Sequence, residues 1–146
     1  MVNYKFLTPG KIVILLQGRF AGKKAIIVST SNGSRERPFG HALVAGIERT
    51  PLKVTKGMSE KKVLKRSKCK PFVKFVNLRH VMPTRYQVDI DVKSIVKAAD
   101  MKPDPDLAFP ARKAMKKALK ELFNKRYLAK PGSNAGISFF YQKLRF

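Results

Sequence analysis

Acidic residues are scarce in this chain. Nine Asp and Glu stand against 32 Lys and Arg in 146 residues, which gives a formal net charge of +23 and a pI of about 10.6. A compact body with this charge repels itself unless an anion neutralises it. The natural counter-charges are nucleic acid and an anionic membrane surface, and the composition favours nucleic acid.

Long hydrophobic runs are also absent. The longest apolar runs, such as Ile12–Leu16, have the length of a strand and fall short of the roughly 18 residues of a membrane span. Lys5, Pro9 and Lys11 interrupt the charged-then-apolar order of a signal peptide. A single cysteine, Cys69, cannot form an internal disulfide, which fits a reducing compartment. Hydrophobic residues still make up 44%, so the chain is not a disordered polycation and we expect a small core.

No group of residues forms a credible catalytic or metal-binding pattern. His41, His80 and Cys69 are too few and too scattered for a zinc site. The two histidines either contact phosphate or satisfy buried carbonyl groups. Asp89 and Asp91 face the same side of an expected strand, where pairing with nearby lysines is more plausible than hydrolysis. The sequence therefore predicts no enzyme, no cofactor and no metal.

The basic residues concentrate in two runs. Residues 49–70 hold nine Lys and Arg with one acid, and residues 110–130 hold eight with one acid. Residues 89–106, between them, contain five of the nine acids. A single charge run is typical of a solvated face, but two dense runs with almost no compensating acid indicate a surface that faces phosphate.

The first two thirds of the chain have the pattern of short strands separated by turns. Several strands at this spacing predict a small barrel or sandwich. Ser59–Ser67 fits either a short helix or a basic loop. The strand candidates are Lys11–Leu16, Lys24–Ser29, Ala42–Ile47, Leu52–Thr55, Phe72–Asn77 and Tyr86–Ile90.

The last third has a helical period. We expect a linker or helix entry over residues 98–106, a helix that has Pro110 in its first turn and stops at Pro131-Gly132, and an extended tail over Ser133–Phe146. One face of the helix is apolar and another carries lysines. The apolar stripe is Ala111, Met115, Ala118, Leu119, Leu122 and Tyr127.

These patterns divide the chain into two parts. Residues 1–97 are expected to form a barrel with a basic insertion, and to fold alone because the apolar strand runs lie there. Residues 98–146 are expected to contribute an acidic linker, a basic amphipathic helix and an aromatic and basic tail. The helix and tail would become ordered when nucleic acid removes the repulsion between lysines.

The segment 10–28 is a strand, a glycine-rich basic turn and a second strand. Gly18 and Gly22 permit a tight turn from which Arg19, Lys23 and Lys24 would project. The spacing resembles the KOW motif of SH3-like barrels in ribosomal proteins and transcription elongation factors. A plain hairpin with solubilising lysines remains the alternative.

The tail Phe139–Phe146 combines four aromatic residues with two cations. One interpretation is a terminal strand that packs on the barrel. The other is an anchor in folded RNA or a neighbouring protein, in which aromatics stack on unpaired bases and cations pair with phosphate. The two interpretations are compatible, and both stay open.

Three further stretches carry a resemblance to a known family. They are residues 37–47, residues 65–68 running on to 80–86, and the closing 142–146. With the KOW-like hairpin, they make the chain similar from end to end to the eukaryotic family of large-subunit ribosomal protein twenty-seven. The resemblance implies a mainly β fold, an SH3-like barrel containing a KOW motif, followed by a basic C-terminal helix and extended tail.

The resemblance also implies a function. The expected role is a non-enzymatic constituent of the cytoplasmic large ribosomal subunit that stabilises folded ribosomal RNA and supports translation. Its partners would be large-subunit ribosomal RNA and neighbouring large-subunit proteins, without a membrane, a cofactor or self-association, and it would pass through the nucleolus during assembly. A KOW-type transcription or elongation factor and a basic protein at an anionic membrane surface remain the alternatives.

The expected RNA-binding residues are cations of the hairpin, the two basic runs, the segment around residue 80 and the tail. They are Arg19, Lys23, Lys24, Lys61, Lys62, Lys65, Arg66, Lys68, Arg79, His80, Arg85, Arg112, Lys113, Lys116, Lys117, Lys120, Lys143 and Arg145.

Overall fold

The computed structural model describes residues 5–97, 105–129 and 134–145. Within these ranges the chain forms five strands, three α-helices and one short 3-10 turn. The elements, in chain order, are β1 (Lys11–Leu15), β2 (Lys24–Ser31), β3 (His41–Arg49), α1 (Glu60–Arg66), β4 (Lys70–Asn77), the 3-10 turn (Leu78–His80), β5 (Val81–Gln87), α2 (Pro105–Leu128) and α3 (Ala135–Tyr141).

The five strands form one antiparallel sheet in the order β4-β3-β2-β1-β5. β4 and β5 are the two edge strands of this order, yet only the 3-10 turn Leu78–His80 joins them. The sheet must therefore curve to bring the end of β4 close to the start of β5. Register shifts in β1, β2 and β3 assist, because a bulge bends a strand and increases its twist. This curved sheet with its C-terminal helices confirms the predicted SH3-like, mainly β fold class.

Both faces of the curved sheet are buried. Side chains from every strand fill its interior, among them Val13, Ile27, Val44 and Val81. Alternate residues such as Ile26 point to the outer face and join a second cluster. Because successive strand residues face opposite sides, burial of both faces explains why all of residues 41–47 in β3 are buried.

The C-terminal helices cover the outer face. Met115, Leu119 and Phe123 lie four residues apart on α2 and enter the same cluster as the strand residues. Ile137 and Phe140 of α3 enter it as well. Met115 and Leu119 of the predicted apolar stripe are thereby confirmed as core residues, whereas the fully buried Phe123 was not among the residues of that stripe. The partner of this face is the barrel.

Two predicted strands are wrong: one is absent, and the other has different bounds. Leu52–Thr55 has no regular secondary structure; β3 ends before Pro51, which lacks a donor, and the Leu52 N–H bonds to the Arg66 carbonyl at 2.8 Å instead of to a strand. The strand expected at Tyr86–Ile90 is β5, which runs from Val81 to Gln87. Pro83 lies within β5 and argues against a strand in the sequence, because proline is accepted in strands mainly at sheet edges. β5 is such an edge strand.

Three predictions on helices need correction or completion. Ser59–Ser67 forms α1 rather than a loop. α2 begins at Pro105, so Pro110 lies inside the helix; Pro105 takes the first position, where a missing N–H costs nothing. The tail is not extended over residues 135–141, which form α3, but residues 142–145 after it have no regular secondary structure. The Asn134 side chain caps this helix by accepting a hydrogen bond from the Gly136 N–H at 3.0 Å.

Some predictions fall outside the described residues. These are most of the linker, over residues 98–104, the stop at Pro131-Gly132, and Phe146. The division of the chain at residue 97 stays a prediction, and the outer-face cluster supplies the means to test it.

Candidate nucleic-acid interface

The hairpin loop between β1 and β2 has the predicted glycine geometry. Gly18 and Gly22 have φ angles of 90° and 77°, and the Gly22 N–H donates to the Leu15 carbonyl at 2.7 Å. Phe20, inside the loop, stacks on Phe72 of β4 with ring centroids 4.1 Å apart. The barrel thus fixes the loop, which holds its cations at defined positions.

A groove of about 790 Å³ separates this loop from the C-terminal tail. Glu48 is the acid in its lining; its carboxylate lies 3.1 Å from Lys70 Nζ and 3.9 Å from Arg19 Nη2. The Arg19 side chain remains 77% exposed. The groove therefore keeps a strong positive surplus. The cations in its lining, besides Lys24, are Arg19, Lys23, Arg49, Lys70 and Lys143.

Lys24 is not an exposed cation of the hairpin loop. It begins β2, is only 5% exposed, and donates from Nζ to the carbonyl oxygens of Phe139 and Gln142, both at 2.7 Å. The ammonium also lies 3.7 Å from the Phe139 ring centroid. Burial lowers the pKa of Lys24 from its ordinary value. Lys24 therefore does not project from the hairpin loop as expected, because its ammonium holds the end of α3. Its contact with RNA stays a prediction that this burial disfavours.

Lys23 and Lys24 are adjacent in sequence, but removing the charge of each should change a different property. Lys23 should affect RNA binding, and Lys24 should affect stability. Lys23→Ala should make the salt slope of RNA binding shallower by about one unit and leave stability unchanged. Lys24→Met should remove the ammonium donor from both carbonyls, of which, among the described residues, only the Phe139 carbonyl keeps a second donor, the Gln142 N–H at 3.3 Å. The free energy of unfolding should fall by about 1–3 kcal/mol. Urea unfolding and salt titration of both variants test this. Equal effects of the two on the salt slope would contradict the assignment.

The aromatic residues of the tail are used inside the protein. Phe140 is fully buried and meets Phe123 edge-on at 5.3 Å. The Tyr141 hydroxyl donates to the Phe123 carbonyl at 2.6 Å, and burial raises the pKa of Tyr141. Phe139 stacks on Tyr86 at 4.5 Å. Phe140 and Tyr141 are buried and Phe139 is half-buried, so these rings pack on the barrel. A contact of the tail with RNA stays a prediction.

The two basic runs meet in space around Cys69. Its N–H and Sγ both lie within hydrogen-bond distance of Asn124 Oδ1 on α2, at 3.1 and 3.2 Å. Burial raises the pKa of Cys69 to about 11, against smaller opposing effects of a backbone hydrogen bond and the nearby charge of Lys120. The end of the 49–70 run is thereby fixed beside the lysine-bearing helix.

Most of the expected cations in these runs face solvent. Arg66 is half-buried and donates from Nε to the Lys53 carbonyl at 2.9 Å, and Arg112 is half-buried. Repulsion between so many fixed charges calls for an external anion. The exposed members are Lys61, Lys62, Lys65, Lys68, Lys113, Lys116, Lys117 and Lys120.

The remaining expected residues lie near the two ends of β5 and in the tail. Arg79 is exposed and His80 half-buried in the 3-10 turn. Arg85 donates from Nη2 to the Tyr86 hydroxyl at 3.1 Å. This hydrogen bond holds Arg85 beside the Tyr86 ring, on which Phe139 stacks. Lys143 and Arg145 follow α3 and are exposed.

A second group of cations was not predicted from the sequence. Arg37 and Lys74 lie outside both basic runs, and the structure places them with His80 around a smaller groove of about 360 Å³. The signal that could have found them was the aromatic neighbour of each, Phe39 and Phe75, because aromatic and basic residues interleave at RNA-binding surfaces.

Neither a metal site nor a membrane span appears in the described part of the chain. No cluster of three or more His, Cys, Asp or Glu there is arranged to hold a metal ion. No described helix combines the length and the apolar character needed to cross a membrane.

Fold and surface together define a class of protein: a KOW-type, SH3-like barrel with a helical extension and a strongly basic exterior. Comparison with known proteins narrows this class. The model of the Ribosomal L27e protein family matches residues 12–146. The chain belongs to this family, which confirms the resemblance seen in the sequence.

Two curated relatives match over almost their whole length. The large ribosomal subunit protein eL27 of Tetrahymena thermophila is 49% identical over 97% of this chain and 99% of its own. The protein of the same name from Pisum sativum is 51% identical over 97% of this chain and 98% of its own.

Proposed function

We propose that this protein is a structural constituent of the large ribosomal subunit that stabilises folded ribosomal RNA by neutralising its phosphates. The observation that carries this proposal is the meeting of the two basic runs at the contact of Cys69 with Asn124. Phosphates that RNA folding brings together repel one another, and a rigid array of ammonium groups offsets that repulsion.

The mechanism divides the surface into two parts. The barrel provides a platform whose loop–tail groove presents Arg19, Lys23 and Lys143 to one RNA segment. The exposed lysines of α1 and α2 form a second area that contacts phosphates of another segment. Recognition depends on shape and backbone rather than on base sequence, as is usual for RNA helices.

The alternative functions fit the structure less well. Binding to a membrane surface needs an apolar face opposite the lysines, and the apolar face of α2 packs on the barrel through Met115, Leu119 and Phe123. A transient transcription or elongation factor remains as the competing function. It would leave the protein in fractions that lack ribosomal subunits.

Partners and location are part of the proposal. Family membership supports contact with neighbouring large-subunit proteins, a cytoplasmic location on ribosomes and passage through the nucleolus during assembly. The role is structural rather than catalytic, and the protein acts as one copy without self-association. No cofactor is required for phosphate neutralisation.

Sedimentation of the endogenous protein tests the proposed function. A cell extract is separated on sucrose gradients at low and at high salt, and the protein is detected in each fraction. We expect it to remain with large subunits at both salt concentrations, because it makes many phosphate contacts at once and folded RNA surrounds it in the subunit. Release into the light fractions at low salt, or sedimentation apart from large subunits, would overturn the proposal.

A further inference from the structure

The smaller groove differs in kind from the broad lysine surface. It opens between the β1–β2 loop, the loop before β3 and the end of β4. Its volume of about 360 Å³ lies at the lower end of small-ligand pockets, which is too small for a duplex. Its lining has three basic and no acidic residues: Gln17, Gly18, Arg37, Phe39, Lys74, Phe75, Val76, Asn77 and His80.

Phe39 presents an exposed aromatic ring that the barrel holds in place. The residue is 44% exposed, although it belongs to a folded loop. His41, which is buried, meets Phe39 edge-on at 6.0 Å and Phe75 edge-on at 5.6 Å. His41 Nδ1 also lies 2.9 Å from the Phe39 carbonyl oxygen. A fixed, exposed ring is a ready surface for stacking because little conformational entropy is lost.

Arg37 adds a second planar group to the groove. Its Cζ lies 4.3 Å from the Phe75 ring centroid, so the guanidinium is supported by the ring. Its ion pair with Glu36 is long, 3.7 Å from Nη1 to the carboxylate, and Glu36 does not line the groove. Guanidinium planes and aromatic rings are the two groups on which proteins stack unpaired bases.

The polar groups in the lining suit the rest of a nucleotide. Lys74 and His80 supply hydrogen-bond donors for a phosphate. Gln17 and Asn77 bring side-chain amides, which hydrogen-bond to the edges of bases. Ring, guanidinium, donors and amides therefore surround a space of nucleotide size.

We propose that this groove binds one unpaired RNA nucleotide that is extruded from its helix. The base stacks on Phe39 and Arg37, and the phosphate lies between Lys74 and His80. This inference rests on the proposed function, because it assumes that RNA already lies on the basic surface. It adds a contact that distinguishes an unpaired nucleotide from a paired one. The lysine surface cannot make this distinction, because it contacts only phosphates.

A pair of RNA hairpins tests the inference with the full chain. One hairpin is fully paired, and the other is identical except for a single bulged nucleotide. We expect the bulged hairpin to bind about 5- to 150-fold more tightly, the range that corresponds to stacking one base on an aromatic ring. Phe39→Ala should remove this preference and leave the affinity for the paired hairpin unchanged.

Phe109→Ala is the matched control, since Phe109 is an exposed aromatic of α2 far along the chain from the groove, and it should keep the preference. Thermal unfolding checks that both variants are folded. A second measurement needs no variant: 4-thiouridine at the bulge of the wild-type complex should crosslink to peptides that contain residues 37–39 or 74–80.

The possible results distinguish failure of the nucleotide site from failure of the proposed function. Equal binding of the two hairpins, or crosslinks confined to other peptides, would overturn the nucleotide site and leave phosphate neutralisation intact. Absence of salt-dependent binding to the paired hairpin would overturn the proposed function, and the nucleotide site with it.

Discussion

Phe140→Ala is expected to lower the free energy of unfolding by about 3–5 kcal/mol, the usual cost of removing a fully buried phenylalanine. Phe140 is 0% exposed, and its ring packs against Phe123 of α2 in the cluster that covers the outer face of the barrel. Truncation leaves a cavity between α2, α3 and the sheet. Urea unfolding followed by circular dichroism measures the loss.

Phe109→Ala controls for the loss of an aromatic side chain, because Phe109 is 73% exposed. It should change the free energy of unfolding by less than about 0.5 kcal/mol. Similar effects of the two substitutions would show that the tail does not pack on the barrel in solution.

The thiol of Cys69 provides a probe for the same cluster. It is buried beneath α2, and its pKa of about 11 keeps it protonated at neutral pH, so iodoacetamide should label it slowly in the free wild-type protein. Phe140→Ala should speed the labelling. Rapid labelling of the free wild-type protein would instead support the division of the chain at residue 97, with a helix that becomes ordered only on RNA.

Affinity for a fragment of large-subunit ribosomal RNA is expected to fall steeply with salt. If about ten of the exposed cations contact phosphate, log K against log salt should have a slope of roughly −7 to −9. An increase from about 50 to 200 mM salt would then weaken binding by about 10⁴- to 10⁵-fold. Filter binding at a series of salt concentrations measures the slope, and a slope shallower than about −3 would refute the phosphate surface.

Two triple variants with the same net charge test whether the position of the lysines matters for RNA binding or only the total charge of the protein. Replacing Lys113, Lys116 and Lys117 of α2 by glutamine should make the slope shallower by roughly 2–3 units. Replacing Lys5, Lys93 and Lys97, exposed lysines outside the expected site, removes the same charge and should leave the slope almost unchanged. Equal changes in the two variants would show that only the total charge matters.

Local sequence patterns determined the charge, the β1–β2 hairpin and the apolar stripe of α2. They are readable because they depend on neighbours within a few residues: Gly18 and Gly22 turn the chain, and a period of 3.6 residues gathers Met115, Leu119 and Leu122 on one face. The same patterns misplaced β5, since Pro83 is acceptable only on an edge strand, and edges are set by strand order.

The tertiary structure decided which cations and aromatics face outward. Lys24 has the same sequence neighbourhood as Lys23, but its ammonium is buried because carbonyls 115 and 118 residues away accept its hydrogen bonds. Phe140 and Tyr141, which match an RNA anchor in sequence, are buried in the core. Contacts such as that of Cys69 with Asn124, 55 residues apart, join the two basic runs. Partners so distant in sequence leave no periodic pattern, because only packing of the whole chain selects them.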